Sequence, residues 1–108
     1  MHGDRVGPVF SALADPSRRF VVETLAERGS ATATELAGQL PVTRQAVAKH
    51  LAALADAGLV TPSRSGRETR YSLTPEPLGD AVQWMQRVGT QWDERLEALR
   101  AHMKERGA

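Results

Sequence analysis

The stretch Pro41–Ala57, PVTRQAVAKHLAALADA, constrains this chain more than any other. It reads as a short break followed by one helix with two unlike faces. Val47, Leu51, Leu54 and Ala55 recur at helical spacing on one side, while Gln45, Ala46, Lys49 and Ala53 fall on the other. The outward face sets long polar donors among small residues. Alanines permit close approach and Gln and Lys reach sideways, which suits a helix laid into the groove of a duplex. The remaining segments are then expected to hold this helix, flank it, or pair it with a copy of itself.

Upstream, the first few residues are expected to fray. Val6, Val9, Phe10 and Leu13 recur at i, i+3, i+4 and i+7, a one-faced short helix that needs a partner surface. Ala14-Asp15-Pro16-Ser17 punctuates the chain: Asp15 can cap, and Pro16 fits the first helical position. The spacing predicts a second helix to about Arg28, stopped by Gly29, with Phe20, Val21, Leu25 and Ala26 as its apolar surface. Arg18 and Arg19 near its start are either solvated charges or phosphate contacts.

Ser30–Leu40 reads as a third, shorter helix. Thr32 and Glu35 form a capping-box pattern, and Leu36, Ala37 and Leu40 form the stripe to be buried. Pro41 breaks this helix and Thr43 caps the next. Two helices joined by a short turn, the second with a groove-suited face, make a helix-turn-helix. Gly58 then occupies the left-handed position past the helix end, and Leu59 folds back on Leu54.

From Leu59 the period changes. Val60 opens a strand-like stretch, Ser65-Gly66 supply a turn, and Thr69, Tyr71 and Leu73 alternate with Glu68, Arg70 and Ser72. This is a β-hairpin of about 15 residues with Arg64 and Arg67 near its tip: either an ordinary solvated hairpin or a basic wing beside the groove-reading helix. Beyond Pro75 and Pro77, the apolar residues Leu78, Val82, Met85, Val88, Trp92, Leu96, Leu99 and Met103 are spaced 4, 3, 3, 4, 4, 3 and 4. The mean lies near the period of a helix-packing seam. One long amphipathic helix over roughly Pro77–Lys104 follows, used either on the chain's own core or, more simply, to pair with a second protomer. Trp84 lies off the seam, to pack on the first helix or to line a pocket.

A chain of 108 residues is expected to form one domain over 1–108, divided into a DNA-binding core at 5–74 and a dimerisation helix at 75–106. Net charge is only +1, but it is unevenly spread. From Thr43 to Leu73 five basic residues face two acidic ones, against five basic and six acidic from Pro75 onward. The excess sits on the candidate reading helix and the hairpin, where a phosphate backbone needs it. The absence of cysteine removes disulfides, thiolate nucleophiles and thiolate metal sites. No apolar run approaches the roughly 20 residues of a membrane span, and MHGDRVG has no signal-peptide pattern; a cytoplasmic location is expected. No paired carboxylates, nucleophile–base set or phosphate loop points to an enzyme, so no catalytic residue and no cofactor is assigned.

Five motifs occur in a fixed order: Leu13-Ala14-Asp15-Pro16-Ser17-Arg18-Arg19, Glu35-Leu36-Ala37, Thr43 through Leu51, Leu54-x-x-Ala57-Gly58-Leu59-Val60, and Gly66-Arg67-x-x-Arg70-Tyr71. In this order and spacing the chain resembles the ArsR family of bacterial winged helix-turn-helix repressors over about Val6–Leu73. Its last helix, with Trp84, Trp92 and Arg95-Leu96-x-x-Leu99, looks like the cysteine-free branch. The resemblance implies a mainly α protein with a small β-hairpin (α+β), in the order α-α-α-α-β-β-α, dimeric through its terminal helices. It implies a homodimer on an inverted repeat of double-stranded DNA, repressing transcription, often of its own operon.

Carried over to this sequence, the recognition-helix residues are Thr43, Arg44, Gln45, Ala46, Lys49 and His50. The wing residues are Arg64, Arg67 and Arg70. Tyr71 matches a strand position expected to pack. Dimerisation is expected from Val6, Val9, Phe10 and Leu13 together with the seam from Leu78 to Met103. Where metal-sensing relatives carry thiolates, this chain has Thr32 and Thr34, which do not replace soft donors. The histidines, His2, His50 and His102, are scattered, and His102 with Glu105 lacks an upstream partner; no metal site is expected. Two rival functions accompany this reading. One is a winged-helix interaction module that does not bind DNA; the other is a repressor released by a small molecule at the dimer interface near Trp84 and Trp92.

Overall fold

The computed structural model describes residues 4–107. The expected fraying of the first residues and His2 fall largely outside that range. The elements run α1 (Val6–Leu13), α2 (Pro16–Arg28), β1 (Ser30–Thr32), α3 (Ala33–Ala37), α4 (Arg44–Asp56), β2 (Val60–Ser65), β3 (Glu68–Leu73) and α5 (Glu76–Gly107). This mostly helical architecture with a small antiparallel sheet is a winged helix-turn-helix. One element departs from the expected order. Ser30–Thr32, read from sequence as the start of the third helix, is a strand, and that helix shrinks to Ala33–Ala37. The strand exists because β3, some forty residues onward, pairs with it: Ser30 opposes Ser72, Ala31 opposes Tyr71 and Thr32 opposes Arg70.

Local chemistry sets the boundaries. Asp15 accepts from the backbone N–H of Ser17 at 2.7 Å and of Arg18 at 3.3 Å, Pro16 opens α2, and Gly29 ends it at φ 85°. Thr32 and Glu35 close a reciprocal capping box at 3.1 and 2.8 Å. Thr43 Oγ1 accepts from the Ala46 N–H at 3.1 Å and starts α4. At the other end, Leu59 N–H reaches the Leu54 carbonyl and Gly58 N–H the Ala55 carbonyl, both at 2.9 Å, with Gly58 at φ 78°. This is the Schellman pairing, and both leucines are fully buried.

The core gathers Val9 and Ala12 of α1, Val21 and Leu25 of α2, Ala31 of β1 and Leu36 of α3 around the buried stripe Val47, Leu51 and Leu54 of α4. Leu59, Val60 and Ala81 close it. On α2 the buried face is Val21, Thr24 and Leu25; Phe20, expected to pack, is 40% exposed, and Ala26 also faces out. Thr24 is admitted because its hydroxyl donates to the Phe20 carbonyl at 2.8 Å.

The sheet order is β1-β3-β2. Pro62 is tolerated because β2 is an edge strand, where its missing N–H interrupts no second ladder. α5 runs for 32 residues, about 48 Å at 1.5 Å per residue, with Ala81 its one buried residue among those described. The radius of gyration is 19.6 Å, against about 13 Å for a compact chain of this length. The excess is the outer part of α5, which projects past the rest of the molecule.

Candidate nucleic-acid interface

The N-terminal turn of α4 and the hairpin face each other across a cleft of about 920 Å³. Arg44, Gln45 and Ala48 line one wall; Arg67, Glu68 and Thr69 line the other. Residues Thr32–Glu35 and Tyr71 form its floor. Arg44, Gln45 and Lys49 are exposed, Gln45 and Lys49 one turn apart. The helix start also offers a positive dipole end for an anion. Ala46 is half-buried and its N–H is spent on the Thr43 cap. His50 is half-buried on the flank, close enough to Asp15 for its positive charge to favour that carboxylate.

The hairpin tip differs by one residue from the expected turn. Ser65 opposes Glu68, so the two-residue loop is Gly66-Arg67. Gly66 has φ 61° and Arg67 a negative φ, the signature of a type II′ turn. The shift puts Arg67 at the extreme tip. Arg64 lies on β2 opposite Thr69, exposed, but outside the cleft lining.

Arg70, expected among the wing residues that meet DNA, is also engaged within the fold. Its Nη2 lies 3.2 Å from Glu35 Oε1, its Nη1 3.6 Å from Glu68, and its Nε donates to Ser30 Oγ at 3.2 Å. Position alternation along β3 turns it toward β1 and α3, and the carboxylates there hold it. Arg19 is exposed and Arg18 half-buried, and both guanidiniums also turn back on α1. Arg19 Nη1 donates to the Leu13 carbonyl at 2.6 Å and to Ala14 at 3.2 Å, and Arg18 to Ala12 at 3.4 Å. Both satisfy the open carbonyls at the end of α1.

Two carboxylates carry lowered pKa values. At Asp15 partial desolvation, which raises the value, is outweighed by the N–H groups of Arg18 and Ser17 and by the His50 and Arg18 charges. At Glu35 the Thr32 N–H is the main cause, with Arg70 and Arg28 adding to it against desolvation. The Glu35 cluster escaped sequence reading. Arg28, Glu35 and Arg70 sit on three elements, and only the Thr32–Glu35 spacing left a trace.

The expected dimerisation residues divide. Val9 is fully buried in its own protomer, and Val6, Leu13 and Leu78 pack against the same core. The core takes Val9 whole, while Val6, Leu13 and Leu78 are only partly covered by it. The remainder of the seam is open: Val82, Met85, Val88, Trp92, Leu96, Leu99 and Met103 are 37–62% exposed. Phe10 stays outside the core at 39% exposure and meets Trp84 edge-on at 5.7 Å, so Trp84 packs on the first helix. No group of three or more metal-ligating side chains forms among the described residues. No described helix is long and apolar enough to cross a membrane.

A short helix pair, an exposed polar face on the second helix and a cation-tipped hairpin beside it define a winged helix-turn-helix DNA-binding protein. A family profile described as a helix-turn-helix domain matches residues 13–62. The chain is 39% identical to YuzN, an HTH-type transcriptional regulator of Bacillus subtilis (strain 168), over 80% of its own length and 100% of that protein. It is 32% identical to the transcriptional repressor SdpR of the same organism, over 71% and 84%. An ArsR-like transcriptional regulator from Rhodococcus sp. RHA1 superposes with a TM-score of 0.80 at 40% identity, covering 90% of this chain and 91% of that one. The chain belongs to the ArsR family of winged helix-turn-helix regulators and is a DNA-binding transcriptional regulator.

Proposed function

We propose that the protein is a homodimeric repressor that occupies an inverted-repeat operator, with Gln45 reading bases and Arg67 holding the flanking backbone. The observation that carries this is the cleft: a polar, alanine-lined helix face directly opposite a wing whose outermost residue is an arginine. The Gln45 amide has the donor–acceptor pair that matches adenine N6 and N7, and Lys49 reaches guanine or a phosphate one turn on. Arg44, Thr43, His50 and Arg64 position the duplex through its phosphates. Repression is supported by the likeness to SdpR, described as a transcriptional repressor.

Residues 5–74 form the DNA-binding core in this reading and 75–106 the helix that pairs two copies. The open stripe on α5 is too long for the protomer's own core to cover. Pairing through it sets two recognition helices about 34 Å apart, one turn of DNA. Such a regulator works in the bacterial cytoplasm, where its operator is. Selection of bound duplexes from a random pool tests the reading. An enriched inverted repeat, with half-sites about 10 base pairs apart centre to centre, is the expected result. No enrichment at low salt overturns it in favour of a winged-helix module that binds protein.

A further inference from the structure

We propose that Glu35 positions the wing: it fastens the middle of the β2–β3 hairpin to α3, and Arg67 engages DNA only while that joint is closed. The inference rests on the DNA-binding reading above. One carboxylate joins four elements. Its Oε1 accepts the Thr32 N–H at 2.8 Å and lies 3.2 Å from Arg70 on β3; its Oε2 accepts from Arg28, at the end of α2, at 3.2 Å. Arg70 continues the chain of contacts to Ser30 Oγ on β1 at 3.2 Å and to Glu68 at 3.6 Å.

Outside this joint the hairpin is anchored mainly at its inner end, where Tyr71 and Leu73 pack against the core. Its root is held by buried Leu59 and Val60, but Thr61 through Glu68 are exposed throughout. Beyond the root, β3 meets the body through Tyr71, which packs against the core, and through β1, a strand of three residues. A ladder that short bends easily unless side chains brace it. The Glu35–Arg70 pair is the brace, set at the last register position, Thr32 opposite Arg70, nearest the tip.

The position of Glu35 makes the role testable by sign. It forms part of the cleft floor, beneath the walls that carry Arg44, Gln45 and Arg67. A carboxylate there opposes a polyanion, so electrostatics alone predicts that removing its charge tightens DNA binding. A brace predicts the opposite.

The test is Glu35→Gln, whose amide oxygen still accepts the Thr32 N–H and keeps α3 capped; a melting curve confirms the fold. Anisotropy titrations with the selected operator compare wild type, Glu35→Gln, Arg67→Ala and the double variant. Glu35→Gln is expected to bind about fivefold more weakly, and Arg67→Ala to cost much less in that background than in wild type. An Arg67→Ala penalty undiminished by Glu35→Gln overturns the proposal, whichever way the single variant moves. A DNA-free arm follows amide hydrogen exchange along β3. Faster exchange in Glu35→Gln is expected, and unchanged rates overturn the joint. Should wild type bind no duplex, the proposed function fails while the exchange arm still decides the joint.

Discussion

Gln45 and Arg67 stand on opposite walls of one cleft and ask different things of a duplex. Gln45→Ala is expected to relax preference at one base position by about 1–3 kcal/mol while leaving other positions alone. Arg67→Ala is expected to weaken all sequences alike and to flatten the slope of log affinity against log salt by about one unit. Titrations on operator and scrambled duplexes at several salt concentrations separate the two. Equal losses on both duplexes for Gln45→Ala sink its base-reading role. The acid limb of stability also belongs to single residues. Asp15 and Glu35 both titrate below their ordinary range when folded, so the unfolded chain binds more protons in acid. Their contribution is complete above the unfolded values and is lost as pH falls through the folded ones. Melting temperature is expected to hold from neutrality to about pH 5 and to drop below about pH 4, with Asp15→Asn flattening that drop. Residue roles were legible where periodicity determined them. Gln45 and Lys49 are exposed because Val47, Leu51 and Leu54 face in. Arg70 was not legible, because Glu35, the carboxylate closest to it in space, lies 35 positions away and no local pattern announces an ion pair to another element.

At the scale of elements, ends were easier to read than identities. Asp15-Pro16, Thr43 and Gly58 each carry a stereochemical demand that a few neighbours satisfy, and α2 and α4 begin and end where those residues put them. β1 is the opposite case. Three residues hold too little alternation to signal a strand, and this one is a strand because β3 pairs with it. The capping box was visible, but the helix it caps was begun three residues too early. The hairpin's register is also non-local, and its turn moved by one to Gly66-Arg67. Glycine substitutions show how the same change reverses sign with conformation. Gly58→Ala, at φ 78° beside buried Leu59, is expected to cost about 1 kcal/mol. Gly79→Ala, in α5 with nothing within 4 Å of the added methyl, is expected to gain about 0.5 kcal/mol. Urea titrations of both variants measure the pair.

At the scale of the molecule, a radius of gyration of 19.6 Å and a length of 71 Å describe a shape one protomer does not explain by itself. The seam was legible as periodicity, but its division was not. How many of its residues a small core would claim depended on how α1 and α5 dock. Val9 went to the core, Val6, Leu13 and Leu78 are partly covered by it, and the open stripe from Val82 onward was left over. Leu99→Glu, 53% exposed and far from the DNA-facing cleft, is expected to shift the protein from dimer to monomer in sedimentation at micromolar concentration. Its affinity for a full inverted repeat is expected to fall to that for one half-site. A variant that stays dimeric directs attention to the α1 side of the interface instead.

The outer turns of α5 rest on no other part of the described residues, and pairing as proposed would tie their shape to abundance. A helix supported only by its twin forms in proportion to the square of the free protomer, so its ellipticity at 222 nm should fall on dilution while the rest of the signal stays. A repressor that pairs as proposed would respond to its own supply with up to a second-order dependence. If the chain pairs as proposed, its outer α5 turns are expected to loosen and open to proteases below the threshold concentration set by the pairing constant, and to be held above it. For a regulator that shuts off its own synthesis, that threshold fixes the level at which the circuit settles, with no ligand needed to set it.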